Sequence, residues 1–370
     1  MPIVRHAPGI VAVAALTIGA AAGGASGGAS GGASGNAALP GHRSGTLAAL
    51  ERPGERALRA AVTAGHRDAE PPTTYVGLDG QIHVVSPDAV PGQAGYYYIG
   101  SDFDTACAFG PLLLKAMKRL SRLANILEKA GKRVFFTVTP NKSAVVRNEL
   151  PDPVPQGACS RRGLRVQARL LDSYRDSRYL PLRGALSRVR HPFWRTDTHW
   201  STVGASVFAE HLAAALDPGL ARQQRYRRTV RTQLGDLTKY VPGLGAETAP
   251  ARLPDNGVST RAARGSQTYD PSLASVYTDL SWSSRPARKT YAGRTLIVGD
   301  SFTYTAFEAL ANLFHRGRFM WVGTQDSMRE LAAAVKQADT VVFTVVQRFA
   351  TVTQLVDSRF QRNLRSALLR

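Results

Sequence analysis

Three side chains in this sequence could together perform nucleophilic chemistry. The segment TLIVGD (295–300) reads as a buried strand, and Ser301 follows it at once, heading a stretch with helical spacing, SFTYTAFEALANLF (301–314). A serine on a tight strand-to-helix turn is held clear of its sheet, with its own backbone N–H at a helix N-terminus. That placement offers a nucleophile and an oxyanion donor together; simple capping of the helix by the hydroxyl is the plainer alternative. The second segment is Arg195-Thr196-Asp197-Thr198-His199-Trp200-Ser201, which is short and leans towards strand. In an extended chain residues 197 and 199 point to the same side, so the Asp197 carboxylate can orient the His199 imidazole and stabilise its charged form. Trp200 is expected to pack beside the ring. A buried histidine satisfied by hydrogen bonds, or half of a metal site, are the competing readings. There are eight histidines, but the spacing of His191 and His211 around this segment matches no standard ligand cluster, so no metal is expected. Together Ser301, His199 and Asp197 supply nucleophile, base and orienting acid, the minimal set for covalent acyl transfer. The reading requires Ser301 Oγ within hydrogen-bond reach of His199 Nε2, and Asp197 on Nδ1.

A scaffold must bring these segments together. TYVGLDGQIHVVS (74–86) reads as a hairpin turning at Asp79-Gly80, and residues 109–132 as a helix with a glycine stop. RVFFTVTP (133–140) is a buried-strand run, 162–172 is helical, and 203–219 is a helix ended by Pro-Gly. FMWVG (319–323) reads as a strand, SMRELAAAVKQA (327–338) as a helix, and TVVFTVVQRF (340–349) as a further buried strand. Apolar strands alternating with helices predict an α/β fold with a mostly parallel sheet and helices on both faces. Residues 225–290 are polar and weakly periodic and read as a turn-rich insertion beside that sheet; 353–370 reads as a basic helix or tail.

The 370 residues are 44% apolar and 20% charged, which suits a chain with a real core. Lys plus Arg number 47 against 27 Asp plus Glu, a formal net charge of +20. Such a field favours acidic partners, among them anionic polysaccharide, phosphate-bearing polymers, anionic lipid or nucleic acid, although an Arg- and Ala-rich composition also marks a GC-rich genome. Nucleic acid is not expected, because aromatic platforms and groove-reading motifs are missing from the sequence. The dense run Arg222, Arg225, Arg227, Arg228 and Arg231 reads as a solvated face. At the start, Arg5 and His6 precede an apolar stretch (9–22) and small residues, the pattern of a signal peptide, followed by a threefold GGAS repeat; a flexible Ala/Gly-rich tail is the alternative. The apolar stretch is shorter than the ~20 residues that span a bilayer. Residues 1–35 are thus read as signal and tether, 36–70 as a flexible linker, and export to the periplasm or beyond, with association to the membrane left open, is the expectation. Cys107 and Cys159 are the minimum for one disulfide, which an exported chain would form; two separate buried thiols are the other reading.

Gly299-Asp300-Ser301-Phe302 after a strand, with Asp197-Thr198-His199-Trp200-Ser201 upstream, resembles the SGNH-hydrolase-like alginate O-acetyltransferase family of the AlgX/AlgJ type. In that family Asp-x-His precedes the serine, the reverse of most SGNH esterases. Pro140-Asn141-Lys142 and Gly235-Asp236-Leu237 are similar to further family segments, and VVFTVVQRF resembles a terminal strand in which Gln347 stands where the family usually has Glu. The resemblance runs over about 71–352 and includes no C-terminal carbohydrate-binding module. It implies an SGNH-like, flavodoxin-like α/β domain. It makes Ser301 the nucleophile, His199 the base and then acid, and Asp197 the orienting carboxylate. The Ser301 backbone N–H would serve the oxyanion hole, with the second donor unidentified. Lys142 and Arg348 fall at family-like positions for substrate binding, where ordinary surface charge explains them equally well. Tyr304 is a further weak candidate, for which core packing is the favoured alternative. The implied activity is transfer of an acetyl group to hydroxyls of an exported, anionic or acetylated polysaccharide, through acetyl-Ser301, without a cofactor and with a membrane-bound O-acyltransferase as donor. An esterase using water as acceptor, and a catalytically silent polysaccharide-binding protein, remain the alternatives.

Overall fold

The sheet follows from its most apolar segments. In β12 (Thr340–Val346, TVVFTVV) every residue is buried, the pattern of a strand covered on both faces. The structure, a computed structural model, describes residues 73–76, 82–85, 88–109, 112–262, 279–321 and 328–370. All of these fall in the unit that takes in Pro71–Arg370. The signal, tether and linker expected over 1–70 lie outside the described residues.

The main sheet has the order β5-β12-β10-β11-β9-β8. Strands β5 (Arg133–Thr139), β12, β10 (Tyr291–Gly299) and β11 (Phe314–Trp321) are parallel. β9 (Leu280–Arg285) runs antiparallel to β11, and β8 (Ser259–Ala262) antiparallel to β9. Alternate side chains feed two cores. Phe135, Ile297, Phe319 and Val342 pack under the helix Thr202–Leu216. Phe136, Val298, Met320 and Phe343 pack under the helices Leu113–Lys129, Met328–Gln337 and Ser358–Leu368. The α/β sandwich with helices on both faces is the expected one. Chain order runs from β10 outward to β11, then back to β12 on the other side of β10, so the topology switches between β10 and β12. The carboxyl ends at such a switch form a crevice where open α/β sheets place their sites.

Several elements differ from the sequence reading. The single helix expected over 301–314 is two short ones, Ser301–Thr305 and Phe307–Ala311, and β11 begins already at Phe314. His315, Arg316 and Arg318 hide that start; Arg318 is accommodated by Asp279 and Glu330. The region 225–290 is not simply turns. It holds a two-stranded antiparallel ribbon, β6 (Tyr226–Gln233) with β7 (Glu247–Pro254), and then β8 and β9, which extend the main sheet. The segment 191–202 is not a strand; its ladder contact is one bridge between Phe193 and Trp200. A helix at Ser101–Phe109 went unforeseen, and Cys107 joins it by a disulfide to Cys159 in the helix Gly157–Ser173. Strands β1 (Thr73–Val76) and β2 (Ile82–Val85) pair antiparallel as a hairpin would, while its Asp79-Gly80 turn lies outside the described residues. Two short strands, β3 (Ala89–Pro91) and β4 (Tyr97–Ile99), pair antiparallel.

Candidate active site

Ser301 opens a helix immediately after β10, as its sequence setting requires. The turn is built by Asp300, an extended N-cap residue at φ −112°. Its Oδ1 accepts from Phe302 N at 3.0 Å and its Oδ2 from Val346 N at 2.6 Å. One buried carboxylate thereby caps the helix and ties the end of β10 to the end of β12. Burial pushes the Asp300 carboxyl above its usual range, against the pull of the two amides and of Arg348. Gly299 is needed because a Cβ there would run into the Thr303 and Thr344 side chains. Ser301 itself is half-buried, and its N–H, first in the helix, points away from the intrahelical ladder.

Asp197 and His199 meet, though not as neighbours on a strand. Asp197 Oδ1 accepts from His199 N at 2.8 Å and from His199 Nδ1 at 2.7 Å. The other oxygen, Oδ2, accepts from Gln233 Nε2 at 2.9 Å and from Asp236 N at 3.2 Å. Burial opposes the charge on Asp197, but the adjacent His199, through its charge and its ring and backbone N–H groups, and Lys142 outweigh it and hold the carboxyl at about 2. Burial likewise opposes a charged His199, and the Asp197 carboxylate overrides it, raising the imidazole above its ordinary value. The loop that carries the pair is pinned from three sides. Glu247 Oε2 accepts from Arg195 N at 2.7 Å and Thr196 N at 3.0 Å, Lys142 Nζ donates to Arg195 O at 3.1 Å, and Leu237 N donates to Thr196 O at 3.1 Å. Ser201 then caps the following helix, its Oγ accepting from Val203 N at 3.1 Å.

The approach of His199 to Ser301 is only partly as expected. His199 packs at a tilt on Phe302, the residue after Ser301, with ring centroids 4.9 Å apart, which brings the imidazole to the turn that begins with Ser301. Its Nε2 is buried and makes no hydrogen bond among the described residues, so the expected Ser301–His199 bond is not formed. Phe302, rather than Trp200, flanks the ring; Trp200 packs on Phe208 and Phe302 at 5.5 and 5.3 Å.

Sequence reasoning missed a second carboxylate. Asp236 Oδ1 accepts from Thr198 N at 2.7 Å, its Oδ2 accepts from Thr198 Oγ1 at 2.5 Å, and Oδ2 lies 3.6 Å from His199 Nδ1. Burial and the Asp197 charge both push the Asp236 carboxyl up. The signal was Gly235-Asp236-Leu237, noticed as a motif without a role; Gln233 carried no signal at all. Asp197, His199 and Asp236 offer three ligand atoms within 4.8 Å of one another, a set not anticipated from the histidine spacing. A cation held there through His199 Nδ1 would displace Asp197 from that nitrogen, and with it the contact that orients the ring.

Lys142 and Arg348 are not surface charges: they are 1% and 5% exposed. Lys142 Nζ donates to Tyr97 O at 2.6 Å, and burial lowers it to about 8 despite the nearby Asp197, Asp236 and Asp102 carboxylates. Arg348 Nη1 lies 3.7 Å from the buried Asp102 and the guanidinium sits over the Phe302 ring at 5.4 Å, while Nε and Nη1 make no hydrogen bond among the described residues. Gln347, at the position of the family's usual Glu, accepts from Asn141 N at 3.1 Å and donates to Gln167 Oε1 at 2.6 Å. Tyr304 is buried in the core against Phe319 and Trp321, at 6.3 and 6.5 Å.

Comparison with known proteins follows the same lines. The model of the family described as SGNH hydrolase-like domain, acetyltransferase AlgX, matches residues 89–306, more than half of the chain. A curated relative, the probable alginate O-acetylase AlgJ of Pseudomonas syringae pv. tomato, is 24% identical over 164 residues, 42% of this chain and 42% of its own. The chain therefore aligns with about two fifths of that relative's length. Among solved structures, the O-acetyltransferase domain of Pseudomonas putida AlgJ is 19% identical with a TM-score of 0.46, covering 76% of this chain and 99% of that one. Pseudomonas aeruginosa AlgX is 14% identical with a TM-score of 0.43, covering 75% and 65%. On the extent of the family match, this chain belongs to the SGNH hydrolase-like domain family of the acetyltransferase AlgX.

Proposed function

We propose that the chain is an O-acetyltransferase that places acetyl groups on hydroxyls of an exported anionic polysaccharide, with Ser301, His199 and Asp197 as its catalytic residues. The observation that carries this reading is the buried His199 ring. Asp197 holds it on Nδ1, which leaves Nε2 unpaired beside the turn that begins with Ser301. Hydrogen bonds of this kind are often long or unmade before substrate arrives, and close in the reacting complex. In the first half-reaction Nε2 takes the Ser301 proton while Oγ bonds to the acetyl carbon of the donor. The tetrahedral oxyanion sits at the helix N-terminus, and the bond to the donor's oxygen breaks as His199 returns the proton to it. In the second, a sugar hydroxyl gives its proton to His199 as its oxygen bonds to the acetyl carbon; the Ser301 Oγ–carbon bond then breaks, His199 returns the proton to Oγ, and the acetylated sugar leaves. Ser301 N–H is one oxyanion donor. Lys142 holds the Asp197 loop, and Arg348, buried over the Phe302 ring and facing Asp102, lies beneath the turn that begins with Ser301.

Export is supported by the signal-like N-terminus and by the Cys107–Cys159 bridge, a bond that persists in oxidising compartments. Among the described residues no helix is long and apolar enough to cross a membrane. The name of the curated relative speaks of alginate, a polyuronate, and a net charge of +20 suits a polyanion. A membrane-bound O-acyltransferase is the proposed source of acetyl groups.

The test is to incubate the purified chain with a soluble acetyl ester and an oligouronate, then look for acetylated sugar by mass spectrometry. Transfer that disappears in Ser301→Ala is the expected result. Hydrolysis of the ester with no oligosaccharide ever acetylated would make water the acceptor and end the transferase reading.

A further inference from the structure

At the opposite end of β10 from Ser301 lie two adjoining cavities open to solvent, of about 690 and 420 Å³, which share Gln223, Arg288 and Lys289 as walls. The larger is lined by Arg222, Arg225, Arg288 and Lys289, with Asp255 as its one acidic residue. The smaller adds Asp217, whose carboxylate caps the helix Pro218–Gln223 through Gly219 N at 2.6 Å. Four cations around one hollow repel each other unless an anion sits between them. Some arginines elsewhere are paired, as in Arg231–Glu308, Arg252–Glu210 and Arg318–Asp279, and others, such as Arg161, Arg162 and Arg227, form no ion pair among the described residues but do not share a hollow with other cations in these cavities. Arg222, Arg225, Arg288 and Lys289 form no ion pair among the described residues.

The hollow is built rather than incidental. Arg225 Nη1 donates to the backbone oxygens of Arg222 and Gln224 at 2.7 and 2.8 Å, which fixes the guanidinium and leaves its other N–H groups to face a ligand. Lys289 Nζ donates to Asn256 O at 2.9 Å. Asn256 is buried, and its side chain is held by Gln224 Oε1 at 3.3 Å and Val258 N at 3.1 Å. Gly257 sits at φ +68°, a conformation that favours glycine, and a Cβ there would come within 2.9 Å of Lys289 Nζ. The turn 255–257 is shaped around the lysine.

We infer that this groove is a second binding site for an anionic polysaccharide, holding sugar carboxylates on Arg222, Arg225, Arg288 and Lys289. Guanidinium forks match carboxylates in pairs of hydrogen bonds. The groove continues from one cavity to the next, which suits a chain rather than a lone ion. No aromatic or apolar side chain lines the larger cavity, and in the smaller one Leu220 is buried and the lone aromatic, Tyr291, packs edge-on to Phe314, so the groove has no row of platforms for stacked bases and little surface to bury in lipid. Tyr291–Gly293 at the start of β10 line the smaller cavity, and the six residues Arg294–Gly299 separate it from Ser301, about 20 Å at ~3.3 Å per residue, so the groove takes no part in the chemistry. Its effect is to keep the polymer bound and raise the concentration of acceptor hydroxyls near Ser301. The inference rests on the proposed action on an anionic polysaccharide.

Calorimetric titration of the full chain with oligomannuronate tests it. Binding should weaken steeply between about 50 and about 200 mM salt, as charge-dominated association does. The double variant Arg222→Glu/Arg288→Glu should bind at least about tenfold more weakly, while hydrolysis of a small aryl acetate is unchanged. Arg222→Gln/Arg288→Gln, a milder change at exposed positions, should lose affinity in the same direction. Unchanged affinity in either variant with a native circular dichroism spectrum overturns the inference, as does equal binding of a neutral glucan. Arginine-dependent capture of phosphatidylglycerol vesicles in place of oligomannuronate also overturns it. Arginine-dependent binding by a chain that neither hydrolyses aryl acetate nor transfers acetyl upholds the groove and rejects the acyl-transfer reading.

Discussion

Asp197 Oδ1 accepts two hydrogen bonds from the same residue, His199 N at 2.8 Å and His199 Nδ1 at 2.7 Å. The backbone bond fixes where the carboxylate lies, and the ring bond then fixes which imidazole nitrogen carries the proton. Asp197→Asn keeps an oxygen for one of these contacts but offers an amide that favours the wrong tautomer. Turnover of an acetyl ester should fall by about 10⁴-fold, the loss that the corresponding change causes in serine-protease triads. A loss of less than about tenfold would show that Asp197 does not set the state of His199.

The same pair sets a pH dependence. A general base works only when neutral, and the Asp197 carboxylate raises His199 above its ordinary value of about 6.5. Activity should therefore fall as pH drops through a midpoint above about 6.5. The nearby Asp236 carboxylate pushes in the same direction. Asp236→Asn should move that midpoint to lower pH while leaving kcat on the alkaline plateau largely intact. A kcat/KM profile of the two proteins checks this, and a shift to higher pH would contradict it.

Ser301 was legible because its surroundings are local. An apolar run ends at Gly299, and a nucleophile on a strand-to-helix turn depends on little else. Asp197 and His199 were legible as a pair for the wrong reason: the segment is a hydrogen-bonded turn, and the i, i+2 spacing serves a turn as well as a strand. Asp236 reaches Asp197 across 39 residues through a backbone N–H, which no side-chain pattern records. Lys142 and Arg348 look like surface charges at strand ends. Their burial follows from β5 lying beside β12 and from Tyr97 and Arg195 closing over Lys142. The start of β11 escaped for the opposite reason: it is polar, with Arg318 held by Asp279 and Glu330 and His315 Nδ1 2.9 Å from Ser284 O.

The Cys107–Cys159 bridge closes 52 residues and pins the helix that carries Asp102 to the helix that carries Gln167. Asp102 lies beside Arg348, and Gln167 accepts from Gln347. On loop entropy alone the bridge contributes about 4 kcal/mol. Cys107→Ser/Cys159→Ser should lower stability by about 2–4 kcal/mol in denaturant melts and sharpen the sensitivity of activity to temperature. Equal midpoints with and without reductant in the native chain would refute the claim.

Lys142 is the buried cation whose loss should be felt twice. Its ammonium satisfies the backbone oxygens of Tyr97 and Arg195, one on β4 and the other at the head of the Asp197 loop. Lys142→Met takes the donor from Tyr97 O and one of two donors from Arg195 O, which keeps Tyr97 N at 2.8 Å, and should cost about 1–3 kcal/mol, the figure for one buried acceptor. The sign of its pH dependence follows from burial. Lys142 titrates at about 8 in the folded chain against 10.5 for a free lysine. Between those values the unfolded chain binds the extra proton, so the native protein gains stability as pH rises through that window. Lys142→Met has no such proton, and the difference in stability between the two proteins should widen from pH 8 to 10.5. Denaturant midpoints measured across that range decide it: a gap that narrows would mean that Lys142 keeps its proton in the folded state.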